Sequence, residues 1–161
     1  MDTWGTRVPY FIIIHQNMID KVKIENLAKE FINRTDLFLV AVKVSSAGKV
    51  TVLADKNAGI TIDECVSISR FIEKNLNRDE DDYELMVSSP GLEMPFMVIE
   101  QYYKNAGKKV EVTNNDGIKV TGLLKNVTKG GFEIETEVKV KGKAKEKKEI
   151  SFNYDQVKST R

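Results

Sequence analysis

The chain has 161 residues, 41% hydrophobic and 30% charged, which is the composition of a folded protein and not of a disordered one. Its formal charge of +1 excludes a generic polycationic nucleic-acid coat, and no apolar run approaches the roughly 18 residues that span a membrane. A single cysteine, Cys65, excludes an intramolecular disulfide and points to a reducing, cytoplasmic setting.

Residues 1–17 show neither helical nor strand periodicity, whereas Met18 directly precedes a clean helical pattern. They are read as a non-native or disordered extension, with Met18 as the natural start. Ile24, Leu27, Ala28 and Phe31 share one helical face, which predicts a helix over residues 20–33. Two β-rich segments, 37–44 and 49–54, flank Ser45, Ser46, Ala47 and Gly48 and predict a hairpin. Thr61 and Glu64 have capping-box spacing. The helix they open runs to about Asn77 and is expected to bury Cys65, Ile68, Ile72 and Leu76, making Cys65 a structural thiol. After the polar break at Asp79, Glu80, Asp81 and Asp82 comes a strand over residues 83–88. Residues 18–92 thus form an α-β-β-α-β domain, a small sheet with two helices on one face.

That strand ends in Ser88-Ser89-Pro90-Gly91-Leu92-Glu93, followed by Met94 and Pro95. Pro90 fixes φ, Gly91 permits positive φ, and Pro95 is placed to open a helix over residues 96–103. Charge changes here as well. Residues 1–99 carry 11 Lys/Arg against 15 Asp/Glu, a net −4, and residues 100–161 carry 14 against 9, a net +5. The corner is therefore a joint between two domains. Beyond it, strands are predicted over 109–113, 118–127, 132–140 and 148–153. Asp116-Gly117 and Lys129-Gly130-Gly131 supply turns, and Gly122 marks a bend. A single helical turn at Tyr154, Asp155, Gln156 and Val157 precedes a final strand. Residues 93–161 read as an SH3-like or Sm-like small β-barrel, so the fold class is α+β with two domains.

Chemistry-bearing constellations are few. The only histidine, His15, lies in the segment read as an extension and none follows it, so Ser88 and Ser89 lack the downstream partner of a hydrolase triad and are read as turn residues. The acidic run at 79–82 lacks the alternation of a calcium loop. No catalytic, cofactor-binding or metal-binding residue is assigned. The one biased segment carries Lys139, Lys141, Lys143, Lys145, Lys147 and Lys148. These six lysines are expected to be unpaired on a hairpin loop projecting from the barrel, where they would meet RNA phosphates without reading sequence, because no aromatic side chain is interleaved. Lys104, Lys108 and Lys109 would extend that positive surface. Open sheet edges would also accept an extended peptide strand.

The loop and helix from Ala54, Asp55 and Lys56 through Gly59 and Thr61 to Ser69 and Arg70, together with Ser88-Ser89-Pro90-Gly91-Leu92-Glu93, resemble the RimP family of ribosome maturation factors. The resemblance covers roughly residues 18–161. It implies an α/β N-terminal domain, an Sm-like C-terminal barrel, no catalysis and no cofactor. It also implies binding, as a monomer, to the free small (30S) ribosomal subunit or its precursors, through rRNA and a ribosomal protein such as uS-twelve. Residues 88–93 and the six lysines are the partner-binding candidates. Met94 departs from the family's arginine, and any phosphate or carboxylate contact of that arginine is then absent. The alternative is a general RNA-binding regulator that uses its Sm-like barrel on small RNAs.

Overall fold

The computed structural model describes residues 19–77 and 82–161. The expected extension at residues 1–17 and most of the acidic run, Asp79, Glu80 and Asp81, lie outside the described residues. The described chain is mixed α+β, with three helices and two sheets.

Helix α1 (Lys21–Ile32) starts where the Asp20 carboxylate accepts a hydrogen bond from Val22 N at 2.9 Å. It buries Ile24, Ala28 and Ile32, while Leu27 and Phe31 of the expected stripe are half-buried beside them. Strands β1 (Phe38–Val44) and β2 (Lys49–Asp55) form the expected antiparallel hairpin. Gly48 closes the turn with φ +75, and a Cβ there would lie 2.8 Å from the Asp82 carbonyl oxygen. Both the turn and the close approach of the chain leading into β3 therefore require glycine. Helix α2 (Ile62–Lys74) has the full capping box: Thr61 Oγ1 accepts from Glu64 N, and Glu64 Oε2 accepts from Thr61 N at 2.8 Å. It carries the chain across so that β3 (Glu84–Ser88) pairs in parallel with β2.

The sheet order β1-β2-β3 leaves β2 central. Its Val50, Val52 and Ala54 pack with both helices in one core, each such apolar side chain contributing on the order of 1–3 kcal/mol. Alternation puts Leu53 and Asp55 on the opposite face, where both are nevertheless buried. Cys65 is only half-buried, not the interior thiol expected, because it sits at the margin of α2 beside β3. Partial burial pushes its thiol pKa up.

Helix α3 (Ile99–Asn105) begins later than expected, so Pro95 does not open it. The buried Gln101 side chain does the organising instead: its Oε1 accepts from Met97 N at 2.6 Å and from Val98 N at 3.2 Å. Strands β4 (Lys109–Asn114), β5 (Lys119–Lys125), β6 (Gly131–Val138), β7 (Glu146–Asn153) and β8 (Val157–Thr160) form one antiparallel sheet ordered β7-β6-β5-β4-β8. With β7 and β8 at its edges, the sheet does not close on itself. A single 3-10 turn, Tyr154–Gln156, precedes β8 as expected.

Gly122, where a bend was expected, lets β6 approach β5 closely. A Cβ at this position would sit 2.3 Å from the Glu135 carbonyl oxygen, and pairing of β5 with β6 begins one residue later, at Leu123. The second core holds Val110, Val112, Leu124, Phe132, Ile134 and Phe152, with Tyr102 of α3 inserted among them. The Tyr102 hydroxyl donates to Thr160 Oγ1 at 2.9 Å, which satisfies the one polar atom of that ring in its buried setting.

Candidate functional site

Residues 88–93 form a fixed corner between the two sheets. Ser88 ends β3, and its hydroxyl donates to the Ser89 carbonyl at 2.7 Å, a local turn contact. Met94 N donates to the Gly91 carbonyl at 3.0 Å and closes a turn over residues 91–94. Gly91 does not use positive φ, contrary to expectation, and nothing lies within 4 Å of where its Cβ would be. The turn points Leu92 entirely into solvent, at 100% exposure, beside the exposed Glu93. Phe96 N then donates to the Thr160 carbonyl at 2.8 Å and ties the segment to β8.

Behind the corner is a cleft of about 510 Å³, lined by Gly59, Ser89, Pro90, Met94, Lys104 and Lys108 among others. Its floor is an ion pair the sequence did not reveal. Asp55 Oδ2 and Lys104 Nζ lie 2.5 Å apart, with side-chain exposures of only 9% and 18%. Asp55 Oδ1 also accepts from Lys56 N at 2.9 Å and from Ile60 N at 3.3 Å, so one carboxylate orders the loop over residues 56–60 and anchors α3. Lys56 continues the network to Glu64 Oε1 at 2.5 Å. That contact raises the lysine pKa and, together with the Thr61 backbone, lowers the glutamate's. Met94, where the family resemblance expects arginine, lines the cleft as a half-buried apolar side chain.

The lysine-rich segment is the β6–β7 hairpin, with its loop over residues 139–145. Lys139, Lys141 and Lys143 occupy the exposed loop, while Lys147 and Lys148 lie on β7. The expectation of six unpaired ammoniums fails at two positions. Lys145 Nζ is 2.9 Å from Glu137 Oε2 and Lys147 Nζ is 3.1 Å from Glu135 Oε1, because the register pairs Lys147 with Glu137 and so leaves each lysine one diagonal step from its carboxylate on β6. Glu135 also pairs with Lys125, and its carboxyl is held below the usual range by Lys125 first and Lys147 second. Lys104 does not extend the positive surface, being bound to Asp55. None of the six hairpin lysines reaches the corner cleft.

Strands β3 and β7 are both sheet edges. The β3 edge adjoins a groove lined by Cys65, Val66, Leu85 and Met86. Among the described residues, no group of three or more His, Cys, Asp or Glu side chains is placed to hold a metal ion, and no helix is long and apolar enough to cross a membrane.

Asp55 could have been singled out in the sequence as an acidic residue ending an otherwise buried strand, but nothing pointed to Lys104, 49 positions away.

The family described as the RimP N-terminal domain matches residues 27–93, from the middle of α1 through the corner. A relative from Porphyromonas gingivalis named Ribosome maturation factor RimP is 35% identical over 118 residues, 73% of this chain and 78% of the relative. Relatives of the same name from Christiangramia forsetii (39% over 98 residues, 60% of this chain and 64% of the relative) and Cytophaga hutchinsonii (36% over 123 residues, 72% of each chain) are also similar. With the corner motif placed between the two sheets and similarity reaching well past it, the chain belongs to the RimP family of ribosome maturation factors.

Proposed function

We propose that this protein is a cytoplasmic maturation factor for the small (30S) ribosomal subunit, which binds the free subunit or its precursors as a monomer and carries out no catalysis. The observation that carries this reading is membership of a family whose relatives are named ribosome maturation factors, at 35% identity over 73% of the chain. In this reading residues 18–92 and 93–161 act as two domains, the second an open SH3-like or Sm-like barrel, held at a set angle by the Asp55–Lys104 pair.

The two candidate surfaces suit different components of a ribonucleoprotein. The unpaired loop lysines Lys139, Lys141 and Lys143 neutralise rRNA phosphates and release counterions. The corner offers Leu92 as an apolar anchor, and the free β3 edge offers backbone groups for strand addition. A ribosomal protein with an extended segment, such as uS-twelve, fits those two features. Binding of this kind favours one rRNA–protein arrangement during assembly and then ends.

The test is sucrose-gradient fractionation of a lysate probed for the protein, with and without its gene. Co-migration with free small subunits but not polysomes, and accumulation of immature small subunits on deletion, are expected. Migration with small RNAs away from ribosomal particles would instead favour a general RNA-binding regulator.

A further inference from the structure

No aromatic side chain is interleaved with the lysines of residues 139–148, yet aromatics and lysines do meet elsewhere on this protein. A hollow of about 400 Å³ opens between the segment leading into α3, the β5–β6 turn and β8. That is the size of a small-ligand site. Phe96 and Tyr154 contribute half-buried rings, each packed edge-on to Tyr102 at 5.1 Å between centroids, so both are fixed before any ligand arrives. Met97, at 50% exposure, contributes a polarisable apolar wall. The Tyr154 hydroxyl donates to the Thr128 carbonyl at 2.8 Å, which locks the ring to the β5–β6 turn.

Two exposed ammonium groups line the same hollow, Lys129 in that turn and Lys158 on β8. Neither has an ion-pair partner among the described residues. This sets them apart from Lys56, Lys104, Lys119, Lys125, Lys145 and Lys147, each of which has a carboxylate within 4.0 Å. No acidic residue lines the hollow. Its neighbours differ in this respect: the corner cleft contains Asp55, and the hollow on the outer face of β5 and β6 contains Glu135 and Glu137.

A concave apolar surface with rigid rings and two uncompensated positive charges suits a ligand that is flat, apolar-faced and anionic. An acidic peptide would satisfy the lysines but not the rings, and an apolar peptide the reverse. We propose that this hollow takes one base of a single-stranded RNA segment against Phe96, Met97 and Tyr154, with the flanking phosphates on Lys129 and Lys158. The proposal rests on the reading that this protein meets rRNA, and adds to it a subsite that prefers unpaired nucleotides.

The test uses the full-length protein and a fluorescein-labelled octauridine, with a phosphodiester oligomer of equal length lacking bases as the comparison, both followed by anisotropy. Losing one stacked base is expected to weaken binding about five- to tenfold. The variant K129Q/K158Q is expected to lower the slope of log affinity against log salt by about 1.4, at about 0.7 per phosphate on a single strand. M97E is expected to abolish the preference for the base-bearing oligomer. Equal binding of the two oligomers, no measurable binding of octauridine, or unchanged affinity and base preference in both variants each overturns the proposal. All three replaced side chains are exposed or half-exposed, so folding is checked simply by circular dichroism. The gradient experiment is read separately: co-migration with small subunits and no base preference removes the hollow but keeps the assembly role, and the opposite pair of results does the reverse.

Discussion

Breaking the Asp55–Lys104 pair should expose how strongly the two sheets are coupled. Replacing Lys104 with methionine preserves most of the apolar stem but strands the Asp55 carboxylate, which is 9% exposed and keeps only its two backbone donors. Because those donors remain, the cost should fall near the low end for a stranded buried charge, about 3 kcal/mol. Asp55→Asn keeps an acceptor for Lys56 N and Ile60 N but loses the charge-assisted bond, at a cost of about 1.5–3 kcal/mol. Lys104, at 18% exposure, can partly relax toward water, which places this variant below the first. The double variant removes both charges and should cost at least about 1 kcal/mol less than the sum of the two single variants, the sign of direct coupling. Urea denaturation of the four proteins, followed by circular dichroism, measures all of these quantities. Single-variant costs under about 0.5 kcal/mol, or strict additivity, would show that the pair does not hold α3 against β2 and would refute the reasoning.

Gly122→Ala forces a Cβ to within 2.3 Å of the Glu135 carbonyl, so β5 and β6 must separate locally; a destabilisation of about 1–3 kcal/mol in chemical denaturation is expected. The carboxyl of Glu135 is depressed below its ordinary value of 4.5 by Lys125 and then Lys147, so its contribution is fully present above that value and is lost as pH falls through the depressed one. Glu135→Gln should therefore flatten the acid limb of the stability–pH curve below about pH 4.5 while lowering stability at neutral pH. For the loop lysines, K139Q/K141Q/K143Q should weaken binding to small-subunit rRNA in filter-binding assays and reduce its salt slope by up to about 0.9 for each phosphate that is no longer neutralised. By comparison, K145Q should change the slope little, because Lys145 already faces Glu137.

Much of the fold was legible because its signals are short-range. The i, i+3, i+4, i+7 spacing of Ile24, Leu27, Ala28 and Phe31 and the Thr61–Glu64 box each depend on residues within about two helical turns. At the Asp116-Gly117 turn, Gly117 does adopt φ +82, and Asn114 Oδ1 accepts from Asp116 N and Ile118 N. What failed depended on which element lies opposite. Cys65 has helical spacing suited to burial, but its place at the margin of α2 leaves it half exposed. Lys145 and Lys147 look uncompensated along the chain, and only the β6–β7 register puts Glu137 and Glu135 against them.

By itself, the sequence determined the element order, the change from an acidic half to a basic half, the corner at residues 88–93 and, through that corner, the family. Those properties reside in local backbone preferences and in composition, which do not need the partner strand to be known. Tertiary structure alone decided that the corner is backed by a buried Asp55–Lys104 contact, that two of the six hairpin lysines are already neutralised, and that Phe96, Tyr154, Lys129 and Lys158 share one hollow. Each of these joins residues that local spacing does not connect. Their proximity is fixed by strand register and by packing of α3 onto the second core, and no spacing rule along the sequence encodes it.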